Sequence, residues 1–264
     1  MSNETILGER ANGAAIIKFN RPDKRNAITH DMMTAIGAEL EKAADDPSVR
    51  AIILGGEGKC FCSGIDFNTL AELGGKRTNT ADFRRIVAKL QAVNNLMEAI
   101  EKPVIALLHG YCYGMGLEVA LAADFRIAAE GTLLALQEVE LGLIPDVGGT
   151  TRLTRTVGIP MAKEIIMLGR RIDAKRALEI GLVNEVVPED GLPAAAMRWV
   201  DQLKNCAPLA VGLAKKVIDR GAHLDKLTLM ELEAVAQSVL LKTDDVNEGV
   251  MAKMQKRPPA FKGK

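Results

Sequence analysis

Short apolar runs alternate with longer amphipathic stretches along the first two-thirds of the chain. The strand-like runs are 14–19, 49–54, 104–108, 125–128 and 133–136. Between them, apolar residues recur with helical spacing at 29–40 and 82–100. Because strands that alternate with helices form sheets covered by helices, this order predicts an α/β fold. Beyond about Pro193 only helical spacing remains, which predicts a C-terminal segment built from helices.

The composition argues against two classes of partner. Lys+Arg and Asp+Glu both number 34 in 264 residues, and aromatic residues make up only 3%. A chain without net charge and with few aromatic rings offers little to nucleic acid, so we expect no nucleic-acid partner. No apolar run approaches the ~20 residues that cross a bilayer, so we expect no membrane partner either.

The cysteines and histidines show no metal-binding pattern. The 4 cysteines contain no CxxC pair, and the 3 histidines lack the spacing of helical metal ligands. We therefore expect no metal site and free, reduced thiols. The first residues lack a basic region followed by an apolar stretch, which is the pattern of a secretory leader. Together these observations predict a cytoplasmic location.

The segment from Tyr113 to Asp124 is a glycine-punctuated turn that runs into a helix. Gly114 and Gly116 let backbone N–H groups face a ligand, and a helix start carries unpaired N–H groups with partial positive charge. This pattern suits a developing oxyanion. Glu118, in the first turn, is either an ordinary partner of the helix dipole or an acid or base in the same pocket.

Three further segments carry candidate chemistry. Residues 20–28 form a basic turn, either a solvated loop or a clamp for phosphates, and residues 60–67 hold one glycine that exposes the N–H of Ile65. Residues 136–150 contain three carboxylates, of which Glu140 is predicted to face solvent or to form a salt bridge. Glu138 and Asp146 adjoin apolar residues, where burial raises a carboxyl pKa towards catalytic use, although a structural role stays open for both.

Three familiar motifs are absent. The glycine turn lacks the third glycine of a dinucleotide-binding fingerprint, because position 119 is valine. There is neither a Walker phosphate loop nor the Gly-x-Ser-x-Gly turn of the α/β-hydrolases.

In this order, the four segments resemble the crotonase family, the enoyl-CoA hydratase/isomerase superfamily. The motifs that carry the resemblance are Asn20-Arg21-Pro22 with Asn26-Ala27, 61–66, 113–118, 141–145, 148–153, Glu248-Gly249 and 256–261. The resemblance implies a spiral of ββα repeats followed by a C-terminal helical segment. It implies that residues 1–195 form the spiral core with an acyl-CoA site. Residues 196–264 would form a helical oligomerisation segment of a homotrimer or a dimer of trimers.

The resemblance also implies site roles. The backbone N–H groups of Ile65 and Met115 would form an oxyanion hole for the enolate of an acyl-CoA thioester. Glu118 and Glu138 would hold a water molecule and transfer its protons, giving syn addition of water to a 2-enoyl-CoA. Coenzyme A belongs to the substrate, so no separate cofactor is expected. Met115 stands where many relatives have glycine, and it would be strained if that turn required a positive φ.

The coenzyme A portion is expected along two loops and the C-terminal tail. The implied contacts are Lys24, Arg25, Ala27, Ser63, Asp66, Phe261 and Lys262. Lys24 and Arg25 would meet phosphates, and backbone groups near Ser63 would meet adenine. Phe261 and Lys262 would reach a coenzyme A in the same or a neighbouring subunit.

Asp146 departs from the hydratase pattern, in which many members have a small residue. Dienoyl-CoA isomerases of the family resemble this segment, so a double-bond isomerase using Glu138 and Asp146 is the alternative. Those isomerases typically have aspartate where Glu118 stands, and hydratase is therefore the first interpretation.

Overall fold

The computed structural model describes residues 4–73, 79–221 and 224–264. The loop predicted at 74–79 falls, apart from Asn79, outside the described residues. The strands are β1 Ile6–Ala11, β2 Ala14–Phe19, β3 Ala51–Gly56, β4 Val104–Leu108, β5 Tyr111–Tyr113, β6 Phe125–Ala129, β7 Leu133–Ala135, β8 Ile172–Asp173 and β9 Glu185–Val187. The α-helices are α1 His30–Asp45, α2 Phe67–Leu73, α3 Thr80–Ala99, α4 Met115–Leu121, α5 Gly149–Met167, α6 Ala174–Glu179, α7 Leu192–Lys204, α8 Pro208–Gly221, α9 Lys226–Leu240 and α10 Asp244–Met254.

The strands form two sheets, and a repeat contributes one strand to each of them. The larger sheet has the order β1-β2-β3-β4-β6-β9, with β1 antiparallel to β2 and the other pairs parallel. The smaller sheet has the order β5-β7-β8. In β4–β5–α4 and again in β6–β7–α5, the chain places one strand in each sheet and then a helix. The predicted α/β fold with ββα repeats is confirmed.

Alternation of side chains along the strands divides the core into two parts. Ile53, Ile105 and Ile127 point to one face of the larger sheet, where they pack with the buried face of α7. Ile52 and Leu54 point to the opposite face, which α1, α3, α4 and α5 cover. A strand alternates its side chains between faces, so runs that are apolar throughout are buried on both sides.

Two helices begin at the side chains that the sequence places there. The Thr29 hydroxyl accepts the N–H of Met32 at the start of α1. The Asn79 side chain accepts the N–H groups of Ala81 and Asp82 at the start of α3. Such caps satisfy N–H groups that the helix itself leaves unpaired.

The C-terminal helical segment is present, as predicted. Residue 195, the boundary expected from the sequence, lies inside α7, which packs on the larger sheet. In contrast, no described residue of α9 is buried, and its exposed side chains include Leu227, Met230, Val235 and Val239. Across residues 4–73, 79–221 and 224–264, none of the helices combines the length and apolar character needed to cross a bilayer.

Candidate active site

Two glycines with positive φ bring two turns into contact. Gly64 has φ 104° and Gly114 has φ 50°, and each immediately precedes a predicted oxyanion donor. A Cβ placed on Gly64 would lie 3.3 Å from the carbonyl oxygen of Tyr113 and 3.8 Å from the nitrogen of Met115. The residue with positive φ in this turn is Gly114. Met115 begins α4 in ordinary helical conformation, so the backbone strain that the sequence left open at this position does not arise.

The N–H of Ile65 points away from the segment that contains Ile28. Ile28 donates to the carbonyl of Gly64 (2.8 Å), and Asp66 donates to the carbonyl of Ile28 (2.8 Å), so these bonds bracket Ile65. In a parallel pair, the bracketed residue directs its own N–H to the opposite side.

Both predicted donors are unpaired within the described part of the chain. The N–H of Met115 stands at the first position of α4, where no helical carbonyl precedes it. No described residue accepts the N–H of Ile65 or that of Met115. Two adjoining turns thus each carry a backbone N–H without a partner among the described residues.

Glu118 is buried one turn into α4, with 2% of its surface exposed. Its Oε1 accepts the N–H of Val147 (2.8 Å) and that of Gly149 (2.9 Å). Burial and, to a smaller extent, the charge of Glu138 raise the pKa of Glu118 to about 8, although the two N–H groups act in the opposite direction. Near neutral pH this carboxyl group therefore holds a proton for much of the time.

Glu138 begins a 3-10 helix at Glu138–Leu141 and faces Gly114. Both of its carboxyl oxygens are buried, and neither has a hydrogen-bond partner among the described residues. Burial, followed by the charge of Asp146, raises the pKa of Glu138 to about 7. A buried carboxyl group without partners is costly, and this one is open to a water molecule or a substrate atom.

Asp146 completes a group of three carboxyl side chains. It is half-buried in the loop before α5, and burial raises its pKa. Its charge raises the pKa of both Glu118 and Glu138, so the three groups share one electrostatic environment. The structure thus brings the three predicted catalytic residues together, whereas Glu140 is exposed, as expected, and accepts a hydrogen bond from Gln137 (2.9 Å).

Helix α3 holds the loop that contacts Glu118, a role that the sequence did not reveal. Gln91 Nε2 donates to the carbonyl of Asp146 (2.6 Å), and Asn94 Nδ2 donates to that of Val147 (3.0 Å). Glu98 forms an ion pair with Arg152, the first-turn arginine of α5 (2.6 Å). Asn94 is fully buried on the apolar face of an amphipathic helix. A polar residue in that position is the sequence feature from which this role could have been predicted.

The two predicted coenzyme A loops lie side by side. Lys24 and Arg25 are exposed in the turn after β2, and the N–H of Ser63 donates to the carbonyl of Arg25 (3.0 Å). The carbonyl of Ala27 accepts from Arg21 Nη1 (2.6 Å). Asp66 is already engaged, because Arg21 Nη1 lies 3.1 Å from its Oδ2.

Asn26, which the sequence analysis did not propose as a site residue, links these two loops. Its Oδ1 accepts the N–H of Arg21 (2.9 Å), and its Nδ2 donates to the carbonyls of Glu57 (2.9 Å) and Cys60 (2.8 Å). Arg25 and Asn26 both adopt positive φ, at 50° and 56°. Asparagine tolerates this conformation better than most residues, which made the position recognisable as a tight turn.

Within one chain, Phe261 and Lys262 lie apart from the other predicted coenzyme A contacts. They border a cavity next to Arg50 and Lys102, at the amino ends of β3 and β4. The loops around Lys24 and Ser63 instead follow the carboxyl ends of β2 and β3. The N–H of Lys262 donates to Asp245 (2.7 Å), which ties the tail to α10. A contact with the coenzyme A of a neighbouring subunit stays a prediction.

Comparisons with known proteins place this geometry in a family. Residues 9–264 match the family model described as enoyl-CoA hydratase/isomerase. The chain belongs to this family. It is 33% identical to the 2,3-dehydroadipyl-CoA hydratase of Escherichia coli (strain K12), covering 98% of this chain and 99% of that protein. It is 36% identical to the crotonyl-CoA hydratase of Syntrophomonas wolfei, covering 99% of both chains.

A solved structure of the enoyl-CoA hydratase/isomerase family supports the assignment. The crystal structure of an enoyl-CoA hydratase from Bacillus anthracis superposes with a TM-score of 0.92 at 35% identity, covering 99% of this chain and 100% of that one. The family expected from the sequence and the expectation of an enzyme are confirmed. In the described part of this family member, no three His, Cys, Asp or Glu side chains are grouped so as to hold a metal ion.

Proposed function

We propose that this protein hydrates 2-enoyl-CoA thioesters by syn addition of water, which gives 3-hydroxyacyl-CoA. One observation carries the proposal: Glu118 and Glu138 are buried together with raised pKa values, and the oxygens of Glu138 are unpartnered beside two unpaired backbone donors. Two relatives at 33% and 36% identity are named as hydratases of enoyl-CoA thioesters. Their names support the reaction class.

The first part of the proposed mechanism is activation of the thioester. The N–H groups of Ile65 and Met115 donate to its carbonyl oxygen and stabilise the negative charge that develops there. A preorganised donor of this kind contributes about 3 kcal/mol to lowering the barrier. Because the backbone donates, the methionine side chain at position 115 does not weaken the site.

The second part is proton transfer by the glutamate pair. One carboxylate takes a proton from water as the water oxygen bonds to C3, and the C2–C3 π electrons move into the enolate. The other, protonated carboxyl group then delivers its proton to C2 as the enolate collapses. Because burial raises both pKa values, the pair retains a proton at neutral pH. A proton passing between Glu118 and Glu138 restores the starting state.

A panel of acyl-CoA thioesters, analysed by mass, tests the function. Crotonyl-CoA should gain the mass of water, whereas an unchanged mass indicates isomerisation and loss of coenzyme A indicates hydrolysis. Glu118→Gln and Glu138→Gln should each lower turnover by about 100-fold or more, the scale of general acid–base catalysis. Glu140→Gln is the matched control, because Glu140 is exposed two residues from Glu138. Failure to hydrate enoyl thioesters of any chain length would refute the proposal.

Double-bond isomerisation is the second candidate, and the position of Asp146 favours it. Its carboxyl group is half-buried with a raised pKa and acts on the pKa of Glu138, which suits proton transfer along a conjugated chain. Asp146→Asn should then abolish turnover of a dienoyl-CoA. If Asp146→Asn retains full isomerase activity, Asp146 is structural and this candidate fails.

We also propose how the substrate and the subunits are held. Lys24 and Arg25 bind the phosphates of coenzyme A, since both are exposed on the turn joined to the Ser63 loop. The steps above move only protons and water, so we propose no cofactor beyond the coenzyme A that the substrate carries. We propose a homotrimer or a dimer of trimers, as the family resemblance implies, and the exposed apolar residues of α9 support association between subunits. The cytoplasmic location stays a prediction.

A further inference from the structure

A buried thiol lies directly behind the two oxyanion donors. Cys62 is fully buried, and its Sγ accepts the N–H of Gly64 (3.3 Å), the residue before Ile65. The same thiol donates to the carbonyl of Asn26 (3.1 Å). Its side chain is therefore fixed in orientation and in contact with the first donor turn.

The second donor turn packs on the other side of the same side chain. A Cβ placed on Gly116, the residue after Met115, would lie 2.7 Å from Cys62 Cβ and 2.8 Å from Cys62 Sγ. No side chain fits between them, so the α4 backbone rests directly on Cys62. The backbone of Cys62 joins the same two segments. Its N–H donates to the carbonyl of Tyr111 (3.0 Å), and its carbonyl accepts the N–H of Tyr113 (3.0 Å).

These contacts give Cys62 a role in the reaction without a contact to the substrate. Building on the proposed hydratase function, we propose that Cys62 is a positioning residue whose side chain sets the spacing of the Ile65 and Met115 N–H groups. The Cys62 side chain contacts both the residue before one donor, Gly64, and the residue after the other, Gly116.

The chemistry of the thiol fits a positioning role and not that of a nucleophile. Burial raises the pKa of Cys62 to about 12, so the group stays a neutral S–H. Its proton is used in the hydrogen bond to Asn26. Alanine would remove both the acceptor for Gly64 and the volume beneath Gly116, whereas serine keeps the hydrogen bonds with a smaller atom.

The kinetic test compares Cys62→Ala and Cys62→Ser with Cys112→Ala. Cys112 is also fully buried and lies opposite Cys62 on the neighbouring strand, but its thiol makes no hydrogen bond to any described residue. A small displacement of a catalytic group costs up to about 100-fold, so we expect Cys62→Ala to lower kcat on crotonyl-CoA by roughly 10- to 100-fold with little change in KM. The kcat of Cys62→Ser should lie between those of wild type and Cys62→Ala, and the kcat of Cys112→Ala should equal that of wild type.

A spectroscopic test reports on the donors themselves and does not need turnover. Butyryl-CoA has no double bond to hydrate, and its thioester carbonyl stretch moves to lower frequency when the two N–H groups bind the oxygen. Difference infrared spectra should show this shift in wild type and Cys112→Ala, and a smaller shift in Cys62→Ala. An unchanged shift, or a kcat within twofold of wild type, would overturn the proposal.

Two further outcomes of these experiments also test the proposal. If Cys62→Ala does not fold, Cys62→Ser is judged by the same two measurements, and a wild-type spectrum from it overturns the proposal. If wild type shifts the butyryl-CoA carbonyl but hydrates no enoyl-CoA, the hydratase function fails. In that case, the Cys62 variants still decide the positioning role through the carbonyl shift.

Discussion

At the scale of single residues, Glu138 is a position that stability alone does not explain. Its two carboxyl oxygens are buried and have no partner among the described residues. An unpaired buried polar group costs about 1–3 kcal/mol, so an apolar residue there would give a more stable fold. Groups of this kind collect at functional sites, and Glu118 and Asp146 nearby share the raised pKa.

The raised pKa values predict how stability depends on pH. The folded-state pKa values of Glu118 and Glu138, about 8 and about 7, lie above the ordinary value of 4.5. Between pH 4.5 and the folded-state pKa values, the folded protein binds more protons than the unfolded chain. The stability that these two groups contribute is therefore greatest below pH 4.5 and is lost as the pH rises through 7 to 8.

The melting temperature of Glu138→Gln should therefore rise relative to that of wild type as the pH increases through the range in which Glu138 titrates. Thermal unfolding at a series of pH values measures the difference, with Glu140→Gln as the exposed control. A melting-temperature difference that stays constant with pH would show that Glu138 does not titrate as described.

Gly149 provides a steric test of Glu118. A Cβ at position 149 would lie 2.8 Å from Glu118 Cγ and 2.9 Å from its Oε1, with Pro145 on the other side at 2.7 Å. Gly149→Ala should displace the carboxyl group, lower kcat, and cost about 1–3 kcal/mol in stability, the scale of overpacking. The control is Gly37→Ala in α1, where the new Cβ has only an ordinary contact with Val93 at 3.6 Å. Equal effects of the two substitutions would argue against close packing around Glu118.

At the scale of elements, helix α3 sets the geometry of the loop before α5. Gln91 donates to the carbonyl of the Asp146–Val147 peptide, whose N–H is donated to Glu118, and Asn94 holds the next carbonyl, that of Val147. Asn94→Ala should lower kcat and destabilise the fold by about 1 kcal/mol, the net contribution of one hydrogen bond. Lys89→Ala, on the exposed face of the same helix, should do neither. Wild-type kcat in Asn94→Ala would show that the loop holds its position without the Asn94 hydrogen bond.

Elements with long apolar or amphipathic patterns were predictable, whereas of the described strands of three residues or fewer only β7, inside the predicted run 133–136, was. The strand at Val104–Leu108 was predicted with its observed bounds, since it is apolar throughout and preceded by Pro103. β1 was missed because its outer residues, such as Glu9 and Arg10, are polar. The Asn12-Gly13 turn, with φ of 51° and 84°, was the hairpin signal. β5 and β8 are too short to show any periodicity.

The same limit applies to the site. Glu118 and Glu138 were candidates because each stands beside turn residues, and the family resemblance implied their roles. The contacts of Gln91 and Asn94 join positions more than 50 residues apart, which no local pattern encodes. The tail residues Phe261 and Lys262 resemble the family motif, yet within one chain the fold places them at the far end of the strands.

At the scale of the whole molecule, the C-terminal helices present an apolar surface. Val235 and Val239 of α9 are 61% and 55% exposed, one helical turn apart. We expect the protein to elute as a trimer or hexamer in size-exclusion chromatography with light scattering. Val235→Glu combined with Val239→Glu should shift it to a lower mass, whereas Glu233→Lys on the same helix should not. A monomeric wild-type protein would contradict this assembly.

The most direct measurement follows the oxygen and a hydrogen of water into the product. Crotonyl-CoA is incubated with the enzyme in deuterated water whose oxygen is isotopically labelled, and the product is analysed by mass spectrometry and NMR. Hydration by the glutamate pair predicts labelled oxygen at C3 and deuterium at C2 on the same face, with loss of both in Glu118→Gln and Glu138→Gln but not in Glu140→Gln. Deuterium at C2 without labelled oxygen at C3, or full turnover in Glu138→Gln, would contradict it.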